Sequence, residues 1–394
     1  MATFQRDSNG NWIALKPKSQ PRLVMITVVT LLIVAIPLLA LAYPHLTPLK
    51  QLPQSRPSLP KAKNAAPKKS QSNPYNPTYG QIKLGAFAAE AAHLAGLKFI
   101  STNGLADPAA YAKYRSSIRN TYGKDLEDMN YFSLAPTNFE DRVIQLQKWM
   151  INASKYGDVT LAIEPLGPEK YQFFDQPDKL LKLSQTFRHP QLKNTTIWIR
   201  FASESNLRGS EYSAIKQPEV FRQAAINLKH YLPKNAKLVF SPLINTYVAG
   251  RLAQRDFAQS VLAPHNNQPL WDCIGGTIYR TNLPLKPTYD QYYQEMVEIS
   301  PNTPFQICEL GGPYSKRKEV LKFLSDCAKG DYPQLIKVNL FARDINKRAD
   351  PLAEFGFLEP AERATKSDFA QSSQTPAKME SFLKPILRQP VAEQ

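Results

Sequence analysis

Apolar and polar positions divide the chain into regions with different rhythms. Leu23 to Tyr43 carry no charge and are mostly Leu, Ile, Val and Ala. Twenty-one such residues suffice to cross a bilayer core as a helix, and Pro37 does not forbid it. Residues 44–79 replace this run with prolines, Lys, Ser, Asn and Gln, a composition that builds no core and predicts an extended tether. From about residue 80 to 360, short apolar runs alternate with longer helical patterns. The runs are Ile82–Phe87, Leu97–Ser101, Val159–Glu164, Thr196–Ser203, Leu238–Pro242, Ile274–Tyr279, Phe305–Glu309 and Ile336–Phe341. Several are continuously apolar, as parallel strands covered on both faces must be. Helices are predicted over Phe139–Tyr156, with Asn138 as N-cap, over Pro218–Leu232 and over Lys316–Lys329. Residues 361–394 turn polar again, apart from an amphipathic stretch near Met379–Leu387.

Eight β-runs alternating with helices over roughly 280 residues predict an α/β protein, a (β/α)8 TIM barrel. A doubly wound open sheet is the rival. It would be favoured by a GxGxxG after the first strand, and the sequence has none. The expected organisation is a basic leader over 1–22, a transmembrane or signal-anchor segment over 23–43, a Pro/Lys-rich linker over 44–79, the barrel over 80–360 and a polar tail over 361–394.

Charge sharpens this division. The chain carries +16, of which residues 1–80 hold +9, from ten Lys/Arg against Asp7 alone. The basic excess therefore surrounds the apolar run and fills the tether, not one face of the globular part. That placement argues against nucleic-acid binding. Arg6, Lys16, Lys18 and Arg22 precede the apolar run, and the first basic residues after it are Lys50 and Arg56. The positive-inside rule then favours a cytoplasmic N-terminus and a body outside the cytoplasm, periplasmic or extracellular. Ala40-Leu41-Ala42 also fits a signal-peptidase site, so a cleaved signal stays open beside the preferred uncleaved anchor.

Three cysteines, at 273, 308 and 327, cannot make a disulfide scaffold, and five scattered histidines offer no sequence-local zinc site. Walker A, GxSxG and HExxH patterns are absent. No metal or organic cofactor is expected, and the chain is expected to be a monomer. Asn152-Ala153-Ser154 and Asn194-Thr195-Thr196 are sequons, meaningful only in a glycosylating secretory pathway.

In a (β/α)8 barrel, reacting groups sit at the C-terminal ends of strands. Three apolar runs end in a glutamate: Glu164, Glu204 and Glu309. In the fourth run, alternation places Arg200, Ala202 and Glu204 on one face. In the seventh, Glu309 precedes Gly311-Gly312, where the chain can turn tightly, and alternation turns Cys308 away from the lumen. The sixth run ends at Tyr279-Arg280. Two glutamates facing one another across a barrel are what retaining glycoside hydrolysis requires: one attacks the anomeric carbon, the other protonates the leaving oxygen and later activates water. The nucleophile needs an arginine or tyrosine hydroxyl beside it. The acid needs a raised pKa, which apolar walls and the first carboxylate supply.

Arg200-x-x-x-Glu204-x-Asn206, followed about a hundred residues later by Glu309-Leu310-Gly311, resembles glycoside hydrolase family 26, whose members include retaining β-mannanases on (β/α)8 barrels. Ile163-Glu164-Pro165 resembles that family's third-strand ending, and Tyr279 stands where the family sets a tyrosine against the nucleophile. The resemblance spans roughly residues 80–345. It implies Glu309 as nucleophile, Glu204 as acid/base, and Arg200, Asn206, Tyr279, Glu164 and Tyr212 as substrate-binding or supporting residues. The implied substrate is a polysaccharide of mannan or β-glucan type. Departures are also visible. Ser203 stands where the family has histidine, Tyr212 is the only aromatic residue where it has tryptophan, and the eighth run ends without a tryptophan. They leave open a second reading, a catalytically inactive barrel that binds polysaccharide within an export or cell-wall assembly.

Overall fold

The computed structural model describes residues 3–6, 12–15, 82–97, 102, 104–134, 139–166, 170–208, 213–281 and 283–342. The apolar run 23–43, the linker 44–79, Asn138, Tyr212 and the tail 361–394 lie outside the described residues. Among the described residues, no helix is long and apolar enough to cross a membrane. The chain divides into two units, residues 1–68 and 69–394. In the first, Thr3–Arg6 pairs antiparallel with Trp12–Leu15.

The second unit contains a closed barrel of eight parallel strands in sequence order. They are β1 (Lys83–Ala88), β2 (Glu127–Leu134), β3 (Val159–Pro165), β4 (Ile197–Phe201), β5 (Ala236–Phe240), β6 (Cys273–Tyr279), β7 (Phe305–Gly311) and β8 (Leu335–Ala342), and β8 closes on β1. Helices form between them: α1 (Ala89–Leu94), α2 (Pro108–Tyr122), α3 (Phe139–Ala153), α4 (Pro177–Phe187), α5 (Pro218–Tyr231), α6 (Ile244–Ala249), α7 (Arg251–Leu262), α8 (Leu285–Ile299) and α9 (Arg317–Ala328). Local chemistry marks several of their starts. Asp107 caps α2 by accepting from the Ala110 N–H at 2.7 Å, and Pro108, Pro177 and Pro218 open α2, α4 and α5, where no intrahelical N–H is lost. The outward residues of the strands and the inward faces of the helices form one core, including Phe132, Trp149, Phe201, Phe221 and Phe257.

One expected strand was misplaced. Leu97 lies outside any strand, and the remainder of the run Leu97–Ser101 is outside the described residues. The second barrel strand is instead Glu127–Leu134. Asp128 and Asn130 interrupt its apolar pattern, yet both are buried. Asp128 points outward, where α2 meets it. The Arg115 guanidinium donates to its Oδ1 at 2.7 Å, and the Tyr111 hydroxyl donates to Oδ2. A buried carboxylate is tolerated when so paired, and those partners lie 13 and 17 residues away, outside any strand pattern.

Register fixes which residues line the lumen. Met129, Tyr131 and Ser133 of β2 pair with Thr160, Ala162 and Glu164 of β3; Thr160 and Ala162 pair in turn with Trp198 and Arg200 of β4. Arg200 pairs with Val239, and Val239 with Cys273. A second apolar cluster, Trp198, Val239, Cys273 and Cys308, fills the lumen below the site. Cys308 thus faces inward, correcting the expectation from simple alternation. The cause is a bulge. Between Ile307 and Glu309 β7 advances two residues while β6 advances one, from Gly276 to Thr277. Against β8 it advances three, from Ile307 to Leu310, to β8's two. One extra residue in β7 turns both Cys308 and Glu309 inward. Gly275 makes room for it, since a Cβ there would collide with the Cys308 sulfur.

Candidate active site

Glu309 sits at the top of β7, 3% exposed, and three side chains from three other strands converge on its carboxylate. Arg200 Nη1, from β4, is 2.7 Å from Oε1. The Tyr131 hydroxyl, from β2, donates to the same Oε1 at 2.7 Å. The Tyr279 hydroxyl, from β6, donates to Oε2. A buried anion meets one cation and two phenols, an arrangement that offsets the cost of such burial. Arg200 is itself wholly buried. Its Nε donates to Ser241 Oγ at 3.3 Å and its Nη2 to Thr277 Oγ1 at 3.1 Å. Burial disfavours its charge, but the adjacent Glu309 outweighs this and drives its pKa up. Burial, then the Glu309 charge, raises both Tyr131 and Tyr279 well above an ordinary phenol, so both remain hydrogen-bond donors.

Glu204 follows β4 and is only partly buried. Its backbone is left-handed (φ 58°), as is that of Ala202 (φ 48°). Non-glycine residues adopt this conformation only when the surroundings impose it. Here the Ala202 N–H donates to Ile163 O and the Glu204 N–H to Ser241 O, both at 2.8 Å, tying the turn to the strands on either side. Burial first, and then the charge of Glu309, push the Glu204 carboxyl up to about 8; Arg200 opposes this and Glu164 adds to it. At neutral pH Glu204 therefore keeps its proton.

The other expected site residues fall differently. Glu164 tops β3, half-buried, near enough for its charge to act on both Glu204 and Tyr131. Asn206 is fully buried and its amide is engaged by protein: Nδ2 donates to Leu243 O at 3.1 Å and Gln254 Oε1 at 2.9 Å, while Oδ1 accepts from the Leu243 N–H at 2.7 Å. It braces the chain after Glu204 against α7 and the segment entering α6. Tyr131 was missed because its strand was missed. Ser241 was missed because a single serine after an apolar run carries no signal of its own. Phe341 and Phe87, from β8 and β1, stack at 5.6 Å, and Phe341 and Phe87 in turn contact Tyr279 at 5.6 Å and Tyr131 at 5.0 Å. Two phenylalanines thus pack against the tyrosines that hold Glu309. Among the described residues, no cluster of His, Cys, Asp or Glu could hold a metal ion.

No protein-family model and no curated protein matches the chain. Among solved structures it is similar to a modular endo-β-1,4-mannanase of glycoside hydrolase family 26 from Cellulomonas fimi, at 13% identity over 81% of this chain and 76% of that one, with a TM-score of 0.48. It is similar also to a family 26 β-mannanase from Bacteroides ovatus, at 13% identity over 66% of this chain and 82% of that one, TM-score 0.40. A third is an endo-1,4-β-D-xylanase from Clostridium thermocellum, at 12% identity over 72% of this chain and 63% of that one, TM-score 0.43. Glycoside hydrolase family 26, which the motifs of the chain resemble, is among the families of these structures.

Proposed function

We propose that the protein is a retaining glycoside hydrolase that cleaves a polysaccharide of mannan or β-glucan type through Glu309 and Glu204. One observation carries the reading: at one mouth of the barrel, a carboxylate held by Arg200, Tyr131 and Tyr279 acts on a second carboxyl whose pKa is lifted to about 8. A carboxyl that keeps its proton beside a carboxylate paired with an arginine supplies the acid and the nucleophile of glycoside hydrolysis. Glu309 attacks the anomeric carbon while Glu204 gives its proton to the leaving oxygen. Formation of the glycosyl ester removes the Glu309 charge that held the Glu204 proton in place. Glu204, now a base, takes a proton from water, which attacks the same carbon and releases Glu309. Retention requires the two carboxyl groups about 5–5.5 Å apart, against about 6.5–9.5 Å for inversion.

We place this chemistry outside the cytoplasm, on a chain tethered by Leu23–Tyr43. That uncharged run and the four basic residues ahead of it support the placement. One observation favours the second reading, a binding protein without turnover: Asn206, the residue expected to hold a sugar hydroxyl, has its amide committed to protein. A panel of mannans and β-glucans, incubated with the full-length protein and its Glu309→Gln variant, separates the two. New reducing ends from the wild type alone establish hydrolysis. Binding by both without reducing ends establishes the inactive barrel.

A further inference from the structure

The three donors on Glu309 are unequally shared, and the inequality distinguishes its two oxygens. A carboxylate oxygen presents two in-plane lone pairs. Among the described residues, Oε1 accepts from both Arg200 Nη1 and Tyr131 Oη, each at 2.7 Å, whereas Oε2 accepts from Tyr279 alone. Oε1 is saturated and Oε2 retains a lone pair. We propose that Oε2 is the attacking oxygen and that Tyr131, by holding Oε1, acts chiefly on the second half of the reaction, the hydrolysis of the glycosyl ester. The inference rests on the hydrolase reading above and assigns Tyr131 a role within it.

The electron balance gives the direction of the effect. In the first step the Oε2 lone pair forms the bond to the anomeric carbon. The bond to the leaving oxygen breaks with its electrons, and Glu204 supplies that oxygen's proton. Charge leaves the carboxylate, Oε1 becomes the ester carbonyl, and the hydrogen bond from Tyr131 weakens as the transition state is approached. In the second step water attacks the anomeric carbon and passes a proton to Glu204. The C–Oε2 electron pair returns to Glu309, and charge spreads again onto Oε1. The Tyr131 bond now strengthens toward the transition state. Only an interaction stronger in the transition state than in the state before it accelerates a step. Tyr131 therefore favours release of the enzyme, not formation of the ester. Its position suits that role. The residue is aligned on β2 beside Ala162 and fixed edge-on to Phe87 at 5.0 Å, and its hydroxyl stays protonated because burial and Glu309 both oppose its ionisation. A phenol used only to brace the strand would not need to end on the carboxylate.

The test uses the full-length protein with 2,4-dinitrophenyl β-mannobioside and β-cellobioside, whose good leaving group makes ester hydrolysis limiting. Tyr131→Phe is expected to lower kcat about tenfold, as loss of a charge-assisted hydrogen bond does. KM should fall with it, leaving kcat/KM within about threefold, because kcat/KM reports only the steps through ester formation. A dinitrophenolate burst and a glycosyl adduct on the intact protein by mass spectrometry should appear in the variant. Equal losses in kcat and kcat/KM with no adduct overturn the proposal while leaving the hydrolase reading intact. A wild-type protein inert toward both glycosides overturns the two together. Should Tyr131→Phe lose its melting transition, 3-fluorotyrosine at position 131 keeps the ring and makes the phenol a stronger donor. Faster ester hydrolysis is then expected, and an unchanged or slower rate overturns the assignment.

Discussion

Two buried arginine–carboxylate–tyrosine clusters share the strand β2 and do different work. On its outer face Asp128 meets Arg115 and Tyr111 of α2, sealed between helix and sheet, with Tyr156 beneath the Arg115 guanidinium at 4.0 Å. On its inner face Tyr131 joins Arg200 and Tyr279 around Glu309. The ingredients are nearly the same. The inner cluster differs in two ways: the charge of Glu309 helps burial push a second carboxyl, Glu204, up to about 8, and the cluster stands at the C-terminal mouth of the barrel. The outer cluster's second carboxyl, Asp125, is partly exposed and accepts from Arg115 Nη2 at 3.1 Å, and burial alone raises Asp128 against the pull of Arg115. A buried charge pair is therefore weak evidence of function, whereas a pair that drives a neighbouring carboxyl out of step is strong evidence.

The largest separation between the clusters should appear on removing each anion's role. Glu309→Ala should cost at least about 10⁴-fold in turnover of any substrate while the protein still melts cooperatively. Unchanged hydrolysis would show that the inner cluster is as structural as the outer. Next, Glu204→Ala should lose about 10²–10⁴-fold on polysaccharide, where the leaving group needs its proton. It should retain burst formation with 2,4-dinitrophenyl glycosides and recover turnover with azide. A variant equally poor on both substrate types would remove Glu204 from the acid role. For the outer cluster the effect should move from activity to stability. Arg115→Met should destabilise the fold by about 3–5 kcal/mol, since it strands a buried carboxylate, yet leave kcat near wild type at a temperature where the variant is folded. A large kcat loss in folded Arg115→Met would break the comparison.

The acid's raised pKa predicts a smaller, signed effect. From an ordinary value of 4.5 to about 8, folded Glu204 keeps a proton that the unfolded chain has released. Folding stability therefore falls as pH rises through that window. Glu204→Gln removes the penalty, so it should melt higher than wild type at pH 8 and match it near pH 4. Identical melting at both pH values would place the carboxyl's pKa near normal. The wild-type rate should fall on its alkaline side near pH 8 as that same proton is lost. Smallest of all, Asn206→Ala should cost about 1–2 kcal/mol of stability, by freeing the Leu243 N–H and the Gln254 amide, with only a modest change in KM. A KM rise above about tenfold with unchanged melting would put Asn206 on the sugar after all.

Six of the remaining seven strands could be read because covered parallel strands are near-continuous apolar runs, and β1 was read to within a residue for the same reason. Glu164, Tyr279 and Glu309 could be read with them, since a barrel puts strand ends at one mouth, whereas the alternation expected to carry Glu204 stops at Phe201 and a left-handed turn places it instead. What sequence alone determined was thus seven of the eight strands, the barrel and the position of the glutamates along it. It also marked an uncharged segment ahead of a proline-rich one, which stands outside the described residues. Tertiary structure decided the rest. Asp128 lies in a strand because Arg115 neutralises it from a helix 13 residues away. Tyr131 reaches Glu309 across 178 residues of chain. Cys308 and Glu309 both face inward because between Ile307 and Leu310 β7 carries one residue more than either neighbour. Asn206 is held by Gln254, 48 residues on. Each outcome depends on a partner distant along the chain. Local patterning records only which face of an element is apolar, whereas a buried polar group is placed by whatever the fold brings within hydrogen-bonding distance.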